Sequence, residues 1–363
     1  MKRIGIVTII DYYNYGNRLQ NYALSYLLNN RLKSKAITLE GYADPLIGND
    51  LFKWLKERFA LQLCRFPVFN FKKRLNAHMV RWFNFSEWSR KYIPKKRLYS
   101  CKQLPYSLNK KFDAFISGSD QVWNYRINNI RLDDFFLLFA EDDKKNAVSA
   151  SFGVDYLEDT QKDRYRDALT KFRRISVREE SGASIVEDLI NKEVPVLIDP
   201  AMLLSKEEWV LVEKKPCVDV SVPYVLKYYL GDDDSSIDHW AKDNNLLMYE
   251  LMIDRDMRLY SSGPGEFISL IRNAKLVCSD SFHCILLAIL FSVPFIVYER
   301  KGSENYMISR LNTLLDKFGF NDRWNYSLKQ EKYLSCDFSE VGKVLDKERT
   351  RFIEFVKMII GDK

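Results

Sequence analysis

Short β-rich runs separated by polar or glycine breaks, with helical spacings between them, set the rhythm of this chain. The run from Arg3 to Ile10 is long enough for one buried strand, and polar residues from Asp11 to Asn17 follow it. Leu19, Ala23, Tyr26 and Leu27 then fall at helical spacing. Strand, loop and helix in that order open a parallel α/β domain. The same pattern predicts strands at 112–116, 146–151, 175–177 and 196–198, the last closed by Asp199-Pro200. After a connector near 208–222 a second series begins. It predicts strands at 224–230, 246–252, 275–278 and 295–298, and helices at 266–273, 281–290, 308–318 and 341–360. The chain therefore reads as two α/β halves. Ligands of open parallel sheets sit beyond the carboxyl ends of the strands, so the loops there are where chemistry is sought.

Length agrees, because 363 residues exceed one ordinary core. Hydrophobic residues make up 47% of the chain and charged residues 29%, a globular balance. The longest apolar run, Cys284 to Phe291, falls well short of the roughly 20 residues that span a bilayer. The N-terminus reads as a first strand rather than a signal peptide. Six scattered cysteines without a CxxC pair indicate neither a zinc site nor a disulfide framework, and they fit a reducing, cytoplasmic compartment.

Charge changes the picture at one place. Leu51 to Leu98 holds 13 Lys/Arg against 2 Asp/Glu, a surplus of 11, so with a net charge of +7 the rest of the chain carries −4. The same segment holds 11 aromatics, among them Trp54, Trp82, Phe85 and Trp88. Aromatics favour the water–lipid boundary and basic residues favour anionic headgroups, so amphipathic helices lying on the inner face of a membrane are one reading. An aromatic core with a solvated lysine face is another, and direct contact with an acidic glycan a third. No nucleic-acid-binding motif accompanies the patch, and nucleic acid is not an expected partner.

Five stretches carry candidate chemistry. In 13–24, Gly16 permits a tight approach, Asn17 suits an N-cap, and Arg18 stands beside amides that favour an anion; an ordinary strand–helix turn explains the pattern too. In 116–124, Gly118 between Ser117 and Ser119 turns amides outward, Asp120 can accept a hydroxyl proton, Gln121 adds an amide, and Trp123 offers a flat face to a sugar; caps and a buried tryptophan explain it equally well. Arg178 follows a predicted strand, placed to fork onto carboxylate or phosphate, or to pair with Glu179 or Glu180. Asp280, Ser281 and His283 lie where a strand gives way to an apolar helix, so His283 is either a proton donor or a hydrogen-bonded core residue. Arg310, near a helix start, is either a ligand to an anion or a solvated charge.

In order, these stretches resemble the polysaccharide pyruvyl transferase family. The residues concerned are YGNRLQNYAL at 15–24, FDAFISGSDQVWN at 112–124, SASFG at 149–153, SVRE at 176–179, LIDP at 197–200, GEFISLIRNAKLVCSDSFH at 265–283 and PFIVYER at 294–300. Each piece is weak alone, and the ordered set is specific. The chain departs at Ser281, where some members carry arginine, and at Cys284, where many carry glycine. The resemblance implies an α/β fold of two Rossmann-like domains with an interdomain cleft, like that of the glycosyltransferase-B class. The first domain would cover 1–205 with an insertion at about 51–98, the second 206–340, and a helix at 341–363 would pack back on the first. It implies phosphoenolpyruvate as donor, a glycan acceptor carried on a lipid, and a cyclic pyruvate ketal as product. No metal or cofactor is expected, since arginines and amides neutralise phosphate. On this reading His283 donates a proton, Arg178 holds carboxylate or phosphate, Asp120 acts as base, and Asn17, Arg18, Ser119, Gln121, Trp123, Asp280, Ser281 and Arg310 line the substrates. A nucleotide-sugar glycosyltransferase of the same fold and an inactive glycan-binding protein are the rival readings.

Overall fold

The computed structural model describes residues 1–41, 73–98, 104–128, 131–232, 234–252, 254–300 and 308–361. Among the described residues, ten strands form two sheets. The first contains β1 (Arg3–Val7), β2 (Lys35–Gly41), β3 (Lys95–Leu98), β4 (Ala114–Ser117), β5 (Lys145–Ala150) and β6 (Arg174–Val177), in the order β3-β2-β1-β4-β5-β6. The second contains β7 (Tyr224–Tyr228), β8 (Leu247–Glu250), β9 (Leu276–Ser279) and β10 (Phe295–Val297), in the order β10-β9-β7-β8. Every pairing is parallel. The predicted strand at 196–198 is reduced to a single bridge between Val177 and Val196.

Both orders reverse direction once, between β1 and β4 in the first sheet and between β7 and β9 in the second. The crevice beyond such a reversal is where doubly wound folds bind ligands. The loops leaving β1, β4 and β9 carry three of the five candidate stretches, and a fourth, with Arg178, follows β6.

Helices cover the sheets. Those used below are α1 (Tyr15–Tyr26), α2 (Lys73–Tyr92), α3 (Asp159–Leu169), α4 (Glu180–Ile190), α5 (Pro264–Arg272), α6 (Phe282–Phe291), α7 (Ile308–Phe318) and α8 (Val341–Ile360). All ten residues of α6 are buried, as its unbroken apolar sequence requires. One continuous core joins the halves, with Ile4 and Ile6 of β1, Tyr15 and Leu19 of α1, Leu226 of β7 and Ile285 of α6 in the same cluster. The Tyr15 and Phe267 rings stack across the junction at 3.9 Å, and the Tyr15 hydroxyl donates to the Ser262 carbonyl at 2.8 Å. From α8, Arg349 donates to the carbonyls of Met202 and Leu204. None of the helices among the described residues is long and apolar enough to cross a membrane.

The basic aromatic segment is described only from Lys73 onward, and the membrane reading of 51–72 lies outside the described residues. Within α2, Phe85 and Trp88 are buried in the shared core and do not face a lipid surface. Arg81 is buried as well. It donates to the Tyr15 hydroxyl and to the carbonyls of Tyr260 and Tyr13, with its guanidinium over the Tyr15, Phe85 and Tyr260 rings. This helix is a brace between the halves. Its aromatic stripe faces protein because the junction of two domains offers it a larger apolar partner than solvent does.

Candidate active site

The site is built from residues just past strand ends, each fixed by a local reason. After β1, the N-cap of α1 is Asn14, whose side chain accepts the Asn17 amide at 3.3 Å. Asn17, expected as the cap, is thereby free, and its Nδ2 donates to Asp120. After β4 the chain turns at Gly118, with φ +117; a Cβ there would lie 2.3 Å from the Val148 carbonyl oxygen. The glycine is required by the approach of β5, so the turn presents no open row of amides. After β6 come Arg178 and Glu179. Asp199 caps the turn Pro200–Met202 through Oδ1, which accepts the Ala201 amide at 2.9 Å.

Asp199 Oδ2 is left as a hub. Arg178 Nη1 donates to it at 2.7 Å, Ser119 Oγ at 3.3 Å, and His283 Nε2 stands 3.4 Å away. That last contact is close enough for an ion pair but is not aligned as a hydrogen bond, so Nε2 has no hydrogen-bond partner. Arg178 Nη2 reaches Asp120 Oδ1 at 3.2 Å. The imidazole rests on α1: a Cβ at Gly16 would lie 1.9 Å from His283 Nδ1. His283 itself stands in the first turn of α6, where the N-cap Ser281 makes no side-chain capping bond. Arg310, in the first turn of α7, lies on the same side, its Cζ 5.8 Å from the Phe282 ring over which Arg178 sits at 4.6 Å. Asn17, Asp120, Arg178, Asp199, His283 and Arg310 thus form one buried polar cluster between the sheets.

Its electrostatics follow from burial and pairing. Burial works to raise the Asp199 carboxyl, but His283, Arg178 and the Ala201 amide outweigh it and hold the group well below the usual carboxylate range. Burial likewise opposes ionisation of Asp120, and Arg178, His283 and Arg310 reverse its effect, again lowering the pKa. Burial acts to lower Arg178, while Asp120 and Asp199 raise it. Glu179 is pushed up by burial although its Oε1 accepts the Phe152 amide at 2.8 Å. Arg310 is lowered to about 10 by burial and by the neighbouring Arg178.

Several expectations are corrected. Trp123 is fully buried, its ring packed against Phe136, Phe152 and Phe172, so it offers no face to a sugar. Asp120 is held low and bound by Asn17, Arg178 and the Gln121 amide, and such a carboxylate is a weak base. Ser119 is buried and donates to the Ser149 carbonyl and Asp199. Arg18 is buried on the Ile9 carbonyl, with its guanidinium over Tyr12. Gln121 Oε1 accepts from Asn124. Asp280 stays within the second half, accepting the Leu230 and Gly231 amides at 2.8 Å each and Arg300 Nε at 3.3 Å. Asp199, Glu179 and Phe282 were missed as site residues. Asp199 before proline at a strand end was the one available signal, and it reads equally as a turn.

Two parallel α/β sheets with their reversal points turned toward a shared polar cluster define a glycosyltransferase-B-like fold. A glycosyltransferase from Rickettsia africae superposes with a TM-score of 0.51 at 12% identity, over 100% of each chain. At that identity the likeness shows the fold alone. A UDP-GlcNAc 2-epimerase from Neisseria meningitidis gives 0.42 at 9% identity, covering 98% of this chain and 100% of that one. A heptosyltransferase from E. coli gives 0.36 at 12% identity, covering 83% and 90%. No curated protein matches the sequence. The chain belongs to the polysaccharide pyruvyl transferase family, whose sequence model matches residues 14–302. Membership supports a transferase activity on polysaccharide.

Proposed function

We propose that the protein moves the pyruvate unit of phosphoenolpyruvate onto two hydroxyls of one sugar in a glycan, forming a cyclic pyruvate ketal and releasing inorganic phosphate. The observation that carries this reading is a pair of buried nitrogens without hydrogen-bond partners among the described residues, His283 Nε2 and Arg310 Nε, in the first turns of α6 and α7. Donors left open in a buried cluster are costly unless an anion completes them. Phosphoenolpyruvate brings two anionic groups on three carbons.

The chemistry needs a proton at the methylene carbon, which makes the carbon bearing phosphate electrophilic. His283 Nε2 supplies that proton, and Asp199 steadies the imidazolium and its orientation. A sugar hydroxyl adds to the electrophilic carbon, the carbon–oxygen bond to phosphate breaks, and the second hydroxyl closes the ring. Of the two hydroxyl protons, one restores His283 and the other leaves with phosphate. Arginine and the open amides at the start of α6 face the charge on the departing group, which is where fixed dipoles help most.

The nucleotide-sugar reading is disfavoured by Asp280. Its carboxylate already satisfies the two amides beyond β7 that a diphosphate would otherwise find at that reversal point. The test is to incubate the protein with candidate lipid-linked glycans and either phosphoenolpyruvate or nucleotide sugars, following phosphate release and the mass of the glycan. Release of phosphate with a pyruvate-sized mass gain is expected. Sugar transfer from a nucleotide donor, or no reaction of phosphoenolpyruvate with any acceptor, refutes the proposal.

A further inference from the structure

The buried guanidiniums of Arg18, Arg81, Arg178 and Arg323 each have at least one hydrogen-bond acceptor on an Nη, although the Nε of Arg18, Arg81 and Arg178 is unpartnered among the described residues, and Arg18 has the Ile9 carbonyl alone. Arg323 donates to the carbonyls of Phe295, Lys332, Tyr333 and Ser335, and Arg81 to a hydroxyl and two carbonyls. Arg178 has Asp199 on one Nη and Asp120 on the other. Arg310 is the contrast. It is 5% exposed, yet among the described residues no hydrogen bond or ion pair reaches its guanidinium, and its buried Nε has no partner. Glu179, a nearby carboxyl, turns Oε1 to the Phe152 amide and has Oε2 4.0 Å from Arg178 Nε. Asp120 and Glu179 act on Arg310 through space only, so a buried guanidinium with no hydrogen-bond acceptor among the described residues is suited to ligand oxygens.

We propose that Arg310 is the guanidinium that takes the phosphate of the donor, and that Arg178 is a positioning residue holding Asp120 and Asp199 in place. The proposal rests on the pyruvyl-transfer reading and assigns the division of labour within it. Arg178 faces three carboxylates, Asp120, Asp199 and, at 4.0 Å, Glu179, so little of its positive field is left for a further anion. Arg310 keeps its charge and offers a planar fork that matches a phosphate. Phosphate is assigned to it rather than carboxylate because phosphate carries about −1.5 to −2 charge against one for a carboxylate, and the larger charge favours the guanidinium that no carboxylate contacts among the described residues. The ring of Phe282 stands 4.6 Å from the Arg178 guanidinium and 5.8 Å from that of Arg310, while the imidazole of the next residue stands at Asp199. Donor phosphate at Arg310 therefore leaves the three-carbon end free to reach His283.

The test uses the full chain, with phosphoenolpyruvate and inorganic phosphate as probes. Wild type should gain thermal stability with either probe, and Arg310→Gln should lose that gain. Charge-assisted hydrogen bonds of this kind predict a rise in donor KM of about tenfold to a hundredfold. Arg310→Lys should recover part of it, and kcat should fall less than KM rises. Without ligand, Arg310→Gln should melt at or above the wild-type temperature, because a buried charge with no hydrogen-bond partner among the described residues has been removed; a purely structural arginine would give the opposite. Unchanged donor KM in Arg310→Gln, alongside wild-type turnover of phosphoenolpyruvate, overturns the assignment to Arg310 alone. Failure of wild type to bind or use phosphoenolpyruvate under any condition overturns the underlying reading instead.

Discussion

Replacing Gly16 by alanine is the smallest perturbation that reaches the centre of the site. An ideal Cβ at this position lies 1.9 Å from Nδ1 of His283 and 2.4 Å from its Cε1 and Cγ, where ordinary contacts begin near 3.4 Å. The ring must retreat by about 1.5 Å, and misplacements of about 1 Å can cost about a hundredfold in rate. It has no slack to retreat into, since the residue is buried and its far edge already stands 3.4 Å from Asp199. The helix itself prefers alanine to glycine by about 1 kcal/mol, so any loss comes from the clash and not from the backbone. Phosphate release from phosphoenolpyruvate should fall by about a hundredfold or more, and the folded state should lose stability. In a His283→Ala background the obstacle is gone, and the same Gly16→Ala change should be neutral or stabilising. That non-additivity is a double-mutant cycle read by chemical denaturation, independent of any assumption about substrate. Gly342, at the start of α8 with nothing within 4 Å of its would-be Cβ, serves as control and should tolerate alanine freely. Wild-type activity in Gly16→Ala, or equal effects in the two backgrounds, refutes the packing argument.

Other outcomes follow from the same geometry. His283→Gln should lower kcat by about 10²–10⁴-fold with the fold intact, and turnover within a few-fold of wild type would remove the imidazole from the reaction. Arg178→Gln leaves Asp120 and Asp199 buried without their shared countercharge. It should cost about 3–5 kcal/mol of stability in denaturant titrations, with kcat falling more than donor KM rises; a fully stable variant would refute the positioning role of Arg178. The Asp199 carboxyl is held low in the folded state, so its contribution to stability is present above the ordinary Asp pKa of about 3.9 and is lost as pH falls below it. Stability measured from pH 7 to pH 3 should therefore decline less steeply in Asp199→Asn than in wild type, and parallel declines would contradict the assignment.

Local pattern settled much of this protein. The amphipathic spacing placed α7 at 308–318 and α8 at 341–360, and the apolar run after His283 placed α6 to within a residue, because the period of burial is written in the order of side chains. Strands β4, β5, β7 and β9 were legible for the same reason, and so was the position of His283 in a first turn. The strand at 35–41 and helices α3 and α4 were not read, since Lys35–Gly41 alternates weakly and the two helices bury only a narrow stripe.

What only the tertiary structure decided is which charged group meets which. Asp199 lies 21 residues beyond Arg178, Asp120 lies 103 beyond Asn17, and His283 arrives from the other half of the chain. No periodicity links such positions; the two sheet reversals bring them together. The same applies to Trp123, whose core fate depends on Phe136, Phe152 and Phe172 closing around it, and to α2, whose aromatic stripe became a brace because a second domain was there to receive it. Burial is a property that neighbours in sequence announce. Charge pairing is decided by neighbours in space, and so Arg310, an ordinary helix-start arginine in the sequence, is in the folded protein a buried guanidinium with no hydrogen-bond partner among the described residues.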